Sequence, residues 1–196
     1  MLHPETAALV QSLQSLLLDG RTGTLLLLLC AAAFTDCRTR RIPNILVLAG
    51  VIFGVTYNTV YPLFPHYTIL FPLAGLALGL FMFLPLYALR AMGAGDVKLM
   101  AMVGTFLGPL ATSTAAICTL FAGGVLAILY VVARGTSMRL WNNLAGQTLT
   151  AALTAAAGSP QAPRLTTASS AGRLPYAVAI AAGTSAYLIM HRLGFL

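Results

Sequence analysis

Residues 22–44 read TGTLLLLLCAAAFTDCRTRRIPN, and this stretch decides the class of fold. An apolar run from Thr22 to Thr35 stops at Asp36, the arginines Arg38, Arg40 and Arg41 follow, and Ile42-Pro43-Asn44 opens a second apolar run. An apolar segment that ends in a carboxylate and a basic cluster has the pattern of a chain leaving lipid into a cytoplasmic loop. Working outward, further apolar runs cover 43–60, 68–89, 97–108, 112–133 and 174–190. The composition agrees: 59% of residues are apolar and 8% charged, where a soluble domain carries about 25% charged residues. The expectation is an all-α polytopic integral membrane protein with about six transmembrane helices, forming a single membrane-embedded domain over 1–196.

The runs 22–35 and 97–108 are shorter than the ~17–25 residues of a full span, and each borders an aspartate, Asp36 or Asp96. If these segments span, each helix carries its acid inside or at the edge of the bilayer, where a charge must face protein or a wet cavity. The basic residues set the topology. Arg38, Arg40 and Arg41 follow the first run, Arg90 and Lys98 lie between the third and fourth, and Arg134, Arg139, Arg164 and Arg173 follow the fifth. The segments 58–67 and 108–113 hold no Lys or Arg. The arginine-bearing connections therefore face the cytoplasm and both termini face outward, with Arg192 a minor exception. Asp36 closes one span and Asp96 opens another on the same cytoplasmic side. Residues 1–21 read as a segment along the outer interface and 134–173 as a cytoplasmic connection, with a weakly apolar surface helix over 141–157 and a Gly/Ser/Pro/Thr-rich linker over 158–172.

Several function classes fall away. The net charge of +7 fits positive inner loops and contact with anionic membrane lipid, because no Lys/Arg cluster is interleaved with aromatics as nucleic-acid binding would require. Cys30, Cys37 and Cys118 form no C-x-x-C pair, so neither a disulfide framework nor a zinc site is expected. There is no H-E-x-x-H, and His3, His66 and His191 all fall on the outer side, away from both aspartates. The reading is of a site without metal, cofactor or serine triad.

Two constellations carry chemistry. In Thr35–Asn44, Asp36 either pairs with Arg40 one helical turn on or serves as a reactive acid. In Gly93-Ala94-Gly95-Asp96-Val97-Lys98, the glycines allow a tight turn and close approach of a substrate, while Asp96 either caps the next helix or reacts. Two carboxylates at one membrane depth supply what peptide hydrolysis needs: an ionised group to deprotonate water and a protonated one to polarise the carbonyl. Side by side they cannot both ionise, so the two roles separate.

The order T-D-x-x-x-x-x-I-P-N then G-x-G-D-x-K resembles the paired signature of the type IV prepilin peptidases, which are G-x-G-D membrane aspartic proteases. Arg173-Leu174-Pro175-Tyr176-Ala177-Val178-Ala179-Ile180-Ala181 also resembles the opening of that family's last helix. The resemblance implies Asp36 and Asp96 as catalytic aspartates, with Gly93, Gly95, Lys98, Ile42, Pro43 and Asn44 as substrate-binding or supporting residues. It implies an inner-membrane enzyme that cuts the short basic leader from prepilins or pseudopilins at the cytoplasmic face. Larger members carry a domain with paired C-x-x-C motifs and also methylate the new terminus. This sequence resembles the short, peptidase-only branch associated with Flp/Tad-type pili, and the resemblance does not extend to methylation. A G-x-G-D protease of the presenilin or signal-peptide-peptidase kind ranks lower, since those place the first aspartate in a Y-D motif inside a span. The other readings of the same residues are a small proton- or cation-coupled transporter and a catalytically inactive pilus-assembly component.

Overall fold

The computed structural model describes residues 19–62, 69–89, 92–133 and 176–195. These form six α-helices and, among the described residues, no strand: α1 (Gly20–Thr39), α2 (Asn44–Val60), α3 (Leu70–Ala88), α4 (Ala94–Leu107), α5 (Pro109–Ala133) and α6 (Tyr176–Arg192). Each apolar run read from the sequence becomes one helix, but the bounds of the two short ones change. α1 continues past Thr35 through Asp36 to Thr39, and Gly20 and Arg21, expected in an interfacial segment, already belong to it. α4 starts at Ala94, so Asp96 lies in its first turn and the cap is Gly93, not Asp96. Residues 1–18 of the segment expected over 1–21, the surface helix over 141–157, the linker over 158–172, the whole connection 134–173 and Arg173-Leu174-Pro175 lie outside the described residues.

The chain divides into two compact units, Met1–Gly123 with Pro175–Leu196 and Gly124–Leu174. The last turns of α5 belong to the second unit. Within the first unit α4 is the central helix, contacted by α1, α2, α3 and α6, and its most extensive partner is α3. Every residue of α4 from Leu99 to Phe106 is buried, as expected of a helix surrounded by others.

Two helices, Leu70–Ala88 and Pro109–Leu129, are long and apolar enough to cross a membrane. Only 22% and 28% of their apolar windows are buried within the protein, so most of that surface faces outward. Large apolar side chains elsewhere, including Leu27, Phe34, Ile45, Leu48 and Ile52, are exposed as well. A core helix of a soluble protein hides such a surface, whereas a helix in lipid leaves it open.

At the end of the bundle where α4 finishes, the fully buried Asn58 ties three helices together. Its Nδ2 donates to the carbonyls of Thr105 at 2.7 Å, Gly54 at 3.1 Å and Phe106 at 3.4 Å, and its Oδ1 accepts from Arg21 Nη1 at 3.1 Å. Thr105 and Phe106 are among the last residues of α4, whose terminal carbonyls have no acceptor role left inside their own helix. One amide thus satisfies two such carbonyls and an arginine. Replacing Asn58 by Ala leaves buried acceptors unpaired and is expected to cost about 1–3 kcal/mol. The check is the thermal midpoint in detergent, which should fall; an unchanged midpoint would show that water or lipid replaces the amide without cost.

Candidate active site

Asp36 sits in the last turn of α1. Its carbonyl accepts the N–H of Arg40 at 2.9 Å, and Arg40 takes a left-handed conformation with φ 54. That conformation ends the helix, as left-handed residues do at helix C-termini, and the chain turns back through Arg41 and Ile42 to Pro43, which caps α2. The carboxylate does not face Arg40. Its Oδ2 accepts the backbone N–H of Ala177, in the first turn of α6, at 3.2 Å. Among the described residues, Asp36 and Arg40, whose pairing is one of the two readings left open by the sequence, form no ion pair, and the one ion pair shown is Asp19–Arg192.

Asp96 belongs to a different helix and is held in a similar way. Its Oδ2 accepts the N–H of Gly93, the residue that caps α4, at 3.1 Å. Gly93 has φ −83 and ψ 155, extended backbone that any residue adopts, and Gly95 lies within the helix. Neither glycine therefore serves a tight left-handed turn, contrary to the expectation from their spacing. What they lack is a Cβ. One on Gly93 would lie 3.3 Å from Asp96 Oδ2, tighter than ordinary contact, while one on Gly95 would meet only Ile42, at 3.4–3.6 Å.

Asp36 lies within electrostatic reach of Asp96, and Asp96 within reach of Tyr176, the neighbour of the Ala177 that bonds Asp36. Both aspartates are buried, with 7% and 9% of their surfaces exposed. Burying a carboxylate is costly unless it is hydrogen-bonded, and each has a backbone amide from a helix start as donor. Such amides are unpaired within their own helix and carry the positive end of its dipole. The site is therefore assembled from the end of α1 and the starts of α4 and α6, with Ile42 of the α1–α2 connection lying against Gly95.

Lys98 and Asn44 stand slightly apart. Lys98 Nζ donates to Asn44 Oδ1 at 3.2 Å on the exposed surface, joining α4 to the start of α2. Among the described residues Lys98 forms no ion pair with either aspartate. Pro43 caps α2 in extended backbone. Sequence reasoning placed the two aspartates but not the donor to Asp36, because a backbone amide has no residue signature. The only pointer was the segment from Arg173 to Ala181, which contains Ala177.

The described residues are all helical, with two outward-facing apolar helices and two buried carboxylates where α1, α4 and α6 meet. The model of the type IV leader peptidase family matches residues 23–132, more than half of the chain. The chain belongs to that family of peptidases. The match includes Asp36 and Asp96 and stops before α6. No curated protein and no solved structure matches the chain.

Proposed function

We propose that the chain is a multi-pass membrane aspartic endopeptidase that removes the N-terminal leader from prepilins or pseudopilins at the cytoplasmic face of the inner membrane, with Asp36 and Asp96 as its catalytic pair. The observation that carries this reading is the meeting of two buried carboxylates from separate helices, each anchored through one oxygen by a helix-start amide. Anchoring one oxygen leaves the other for chemistry. One carboxylate takes the proton of an attacking water while the other, protonated, donates to the scissile carbonyl. A reaction that needs one ionised and one protonated group gives a cleavage rate that falls on both sides of an optimum pH.

The membrane setting follows from dimensions. The 14 residues of α4 extend about 21 Å at ~1.5 Å per residue, against a hydrocarbon core of about 30 Å. A helix this short leaves one of its ends inside the bilayer boundary, and Asp96 lies in its first turn. Arg38, Arg40 and Arg41 follow Asp36 directly, so the same end of the bundle carries the basic connection expected on the cytoplasmic side. A basic leader followed by an apolar helix would lie with the helix in lipid and its cleavage point near the interface.

The test is cleavage of a purified prepilin by the purified chain in detergent or vesicles. A single cut between the basic leader and the apolar helix is expected, and it should persist in a chelator. No cut in any prepilin carrying such a leader would overturn the reading. Lys98 gives a second expectation. Its ammonium lies at the exposed edge of the site, two residues past Asp96, where it would meet an acid on the substrate or offset the charge of the pair. Lys98→Met is expected to lower the rate ~10–100-fold, the scale of one charge-assisted hydrogen bond, and Lys98→Arg to retain most of it. Cleavage by Lys98→Met at the wild-type rate would mean the side chain only reaches for the headgroups.

A further inference from the structure

The amide that holds Asp36 comes from α6, so the aim of that carboxylate depends on where the first turn of α6 sits. α6 packs mainly against α1 and α4, and it also meets α5 at two glycines. At Gly183 the helices cross backbone to backbone, since a Cβ there would run into the Thr119 amide nitrogen and Cα. Nearer the aspartates, the ring of Tyr176 lies over Gly123. A Cβ on Gly123 would fall 2.9 Å from Tyr176 Oη, 3.1 Å from Cζ and 3.3 Å from Cε1. Tyr176 directly precedes Ala177, so the ring seated on Gly123 and the amide bonded to Asp36 belong to one turn of helix.

We propose that Tyr176, seated in the notch left by Gly123, is a positioning residue for the catalytic pair: its ring anchors the first turn of α6 and thereby aims the Ala177 N–H at Asp36. The role is one of placement. The proposal rests on the reading of Asp36 as half of that pair, but the chain of contacts from Gly123 through Tyr176 to Ala177 and Asp36 stands on the geometry alone. The notch is also selective in what it would displace. The nearest atom to a new methyl at Gly123 is the phenol oxygen, the far end of a side chain with two rotatable bonds, so Gly123→Ala moves the ring before it moves the helices. Removing that oxygen leaves Cζ at 3.1 Å as the nearest atom, still tighter than ordinary contact, so it relieves the clash only in part.

The experiment compares Gly123→Ala, Tyr176→Phe and the two combined in the full-length protein. It has two readouts: steady-state cleavage of a prepilin, and the hydrogen-exchange rate of the Ala177 amide by NMR in micelles. Gly123→Ala is expected to lower kcat roughly 10-fold, the scale of one hydrogen bond to a charged group, with KM unchanged and Ala177 exchange faster by a similar factor. Tyr176→Phe, which keeps the ring and loses only the hydroxyl, should lose less than Gly123→Ala in both, and the double variant should recover part of what Gly123→Ala loses. Unchanged Ala177 exchange in Gly123→Ala would overturn the proposal. So would a loss in Tyr176→Phe as large as that in Gly123→Ala, which would make the hydroxyl the acting group. A double variant that recovers nothing relative to Gly123→Ala would mark a packing defect instead of a displaced ring and would equally overturn it. A wild-type chain that cleaves no prepilin removes the proposed function, while the exchange measurements still decide whether Gly123 and Tyr176 govern the Ala177 amide.

Discussion

Asp36→Asn and Asp96→Asn are each expected to lower leader cleavage about 10²–10⁴-fold, the range for losing a general acid or base, while the protein stays folded. The structure explains why folding should survive. Each carboxylate uses one oxygen as acceptor, from Ala177 N–H at 3.2 Å or Gly93 N–H at 3.1 Å, and an asparagine keeps an oxygen that accepts the same bond. What it loses is the ability to take or give a proton. Because the two groups act on one water and one carbonyl, the double variant should be hardly slower than either single one. A double loss equal to the product of the single losses would show two independent sites. Asp19→Asn is the matched control. Asp19 pairs with Arg192 at 3.8 Å with both side chains partly exposed, an interaction worth ~0–1 kcal/mol, and cleavage should stay near wild type. Measurable cleavage by either Asp36→Asn or Asp96→Asn above a few per cent of wild type would end the two-aspartate mechanism.

The apolar runs were legible because a helix in apolar surroundings, whether other helices as for α4 or the outside of the bundle as for α3, is apolar along its length: every run from 22–35 to 174–190 corresponds to a helix. The ends were not legible from apolarity. α1 runs on through Asp36 because the carboxylate meets the amide of Ala177, and that partner lies 141 residues away in the sequence. α4 starts before its first large apolar side chain because Asp96 bonds back to Gly93 and closes the first turn. The two aspartates could be named because a charge beside an apolar run is conspicuous. Their donors could not, since backbone amides look alike in a sequence. Asn58 is a similar case: nothing in residues 44–60 says that its amide reaches the carbonyls of Thr105 and Phe106. Glycines mislead in the opposite direction. Gly93 and Gly95 suggest a turn and Gly75 and Gly104 pass unnoticed among apolar neighbours, yet the close approach of two backbones occurs at Gly75 and Gly104.

Gly104→Leu is accordingly expected to do more damage to the fold than any other single change considered. At this crossing the backbones of α3 and α4 touch: a Cβ on Gly104 would run into the Gly75 carbonyl, and one on Gly75 into the Gly104 carbonyl. Backbone atoms cannot swing aside as a side-chain tip does, so the helices themselves must part. They are also the most extensively packed pair in the first unit. Glycine allows such an approach between helices within a bilayer, where association relies on close packing more than on the exclusion of water. Overpacking a core typically costs 1–3 kcal/mol. Four added carbons against backbone should exceed about 3 kcal/mol, which corresponds to roughly 6–12 °C in the thermal midpoint for a chain of this size. Gly104→Ala should fall between Gly104→Leu and wild type. Gly124→Ala isolates the steric effect from the loss of a glycine as such. Gly124 is helical too, but a Cβ there meets nothing within 4 Å, so alanine should leave stability unchanged or raise it by about 0.5–1 kcal/mol through helix propensity. The three variants, melted side by side in the same detergent, therefore have a fixed order. If Gly104→Leu melts with wild type, the close crossing of α3 and α4 contributes nothing to the fold. A Gly104→Ala midpoint that matches that of Gly124→Ala would mean that helix propensity, and not the contact, is what glycine changes. Since α4 carries Asp96 in its first turn, any Gly104 variant that still folds with α3 and α4 pushed apart should also cleave more slowly than its stability alone explains.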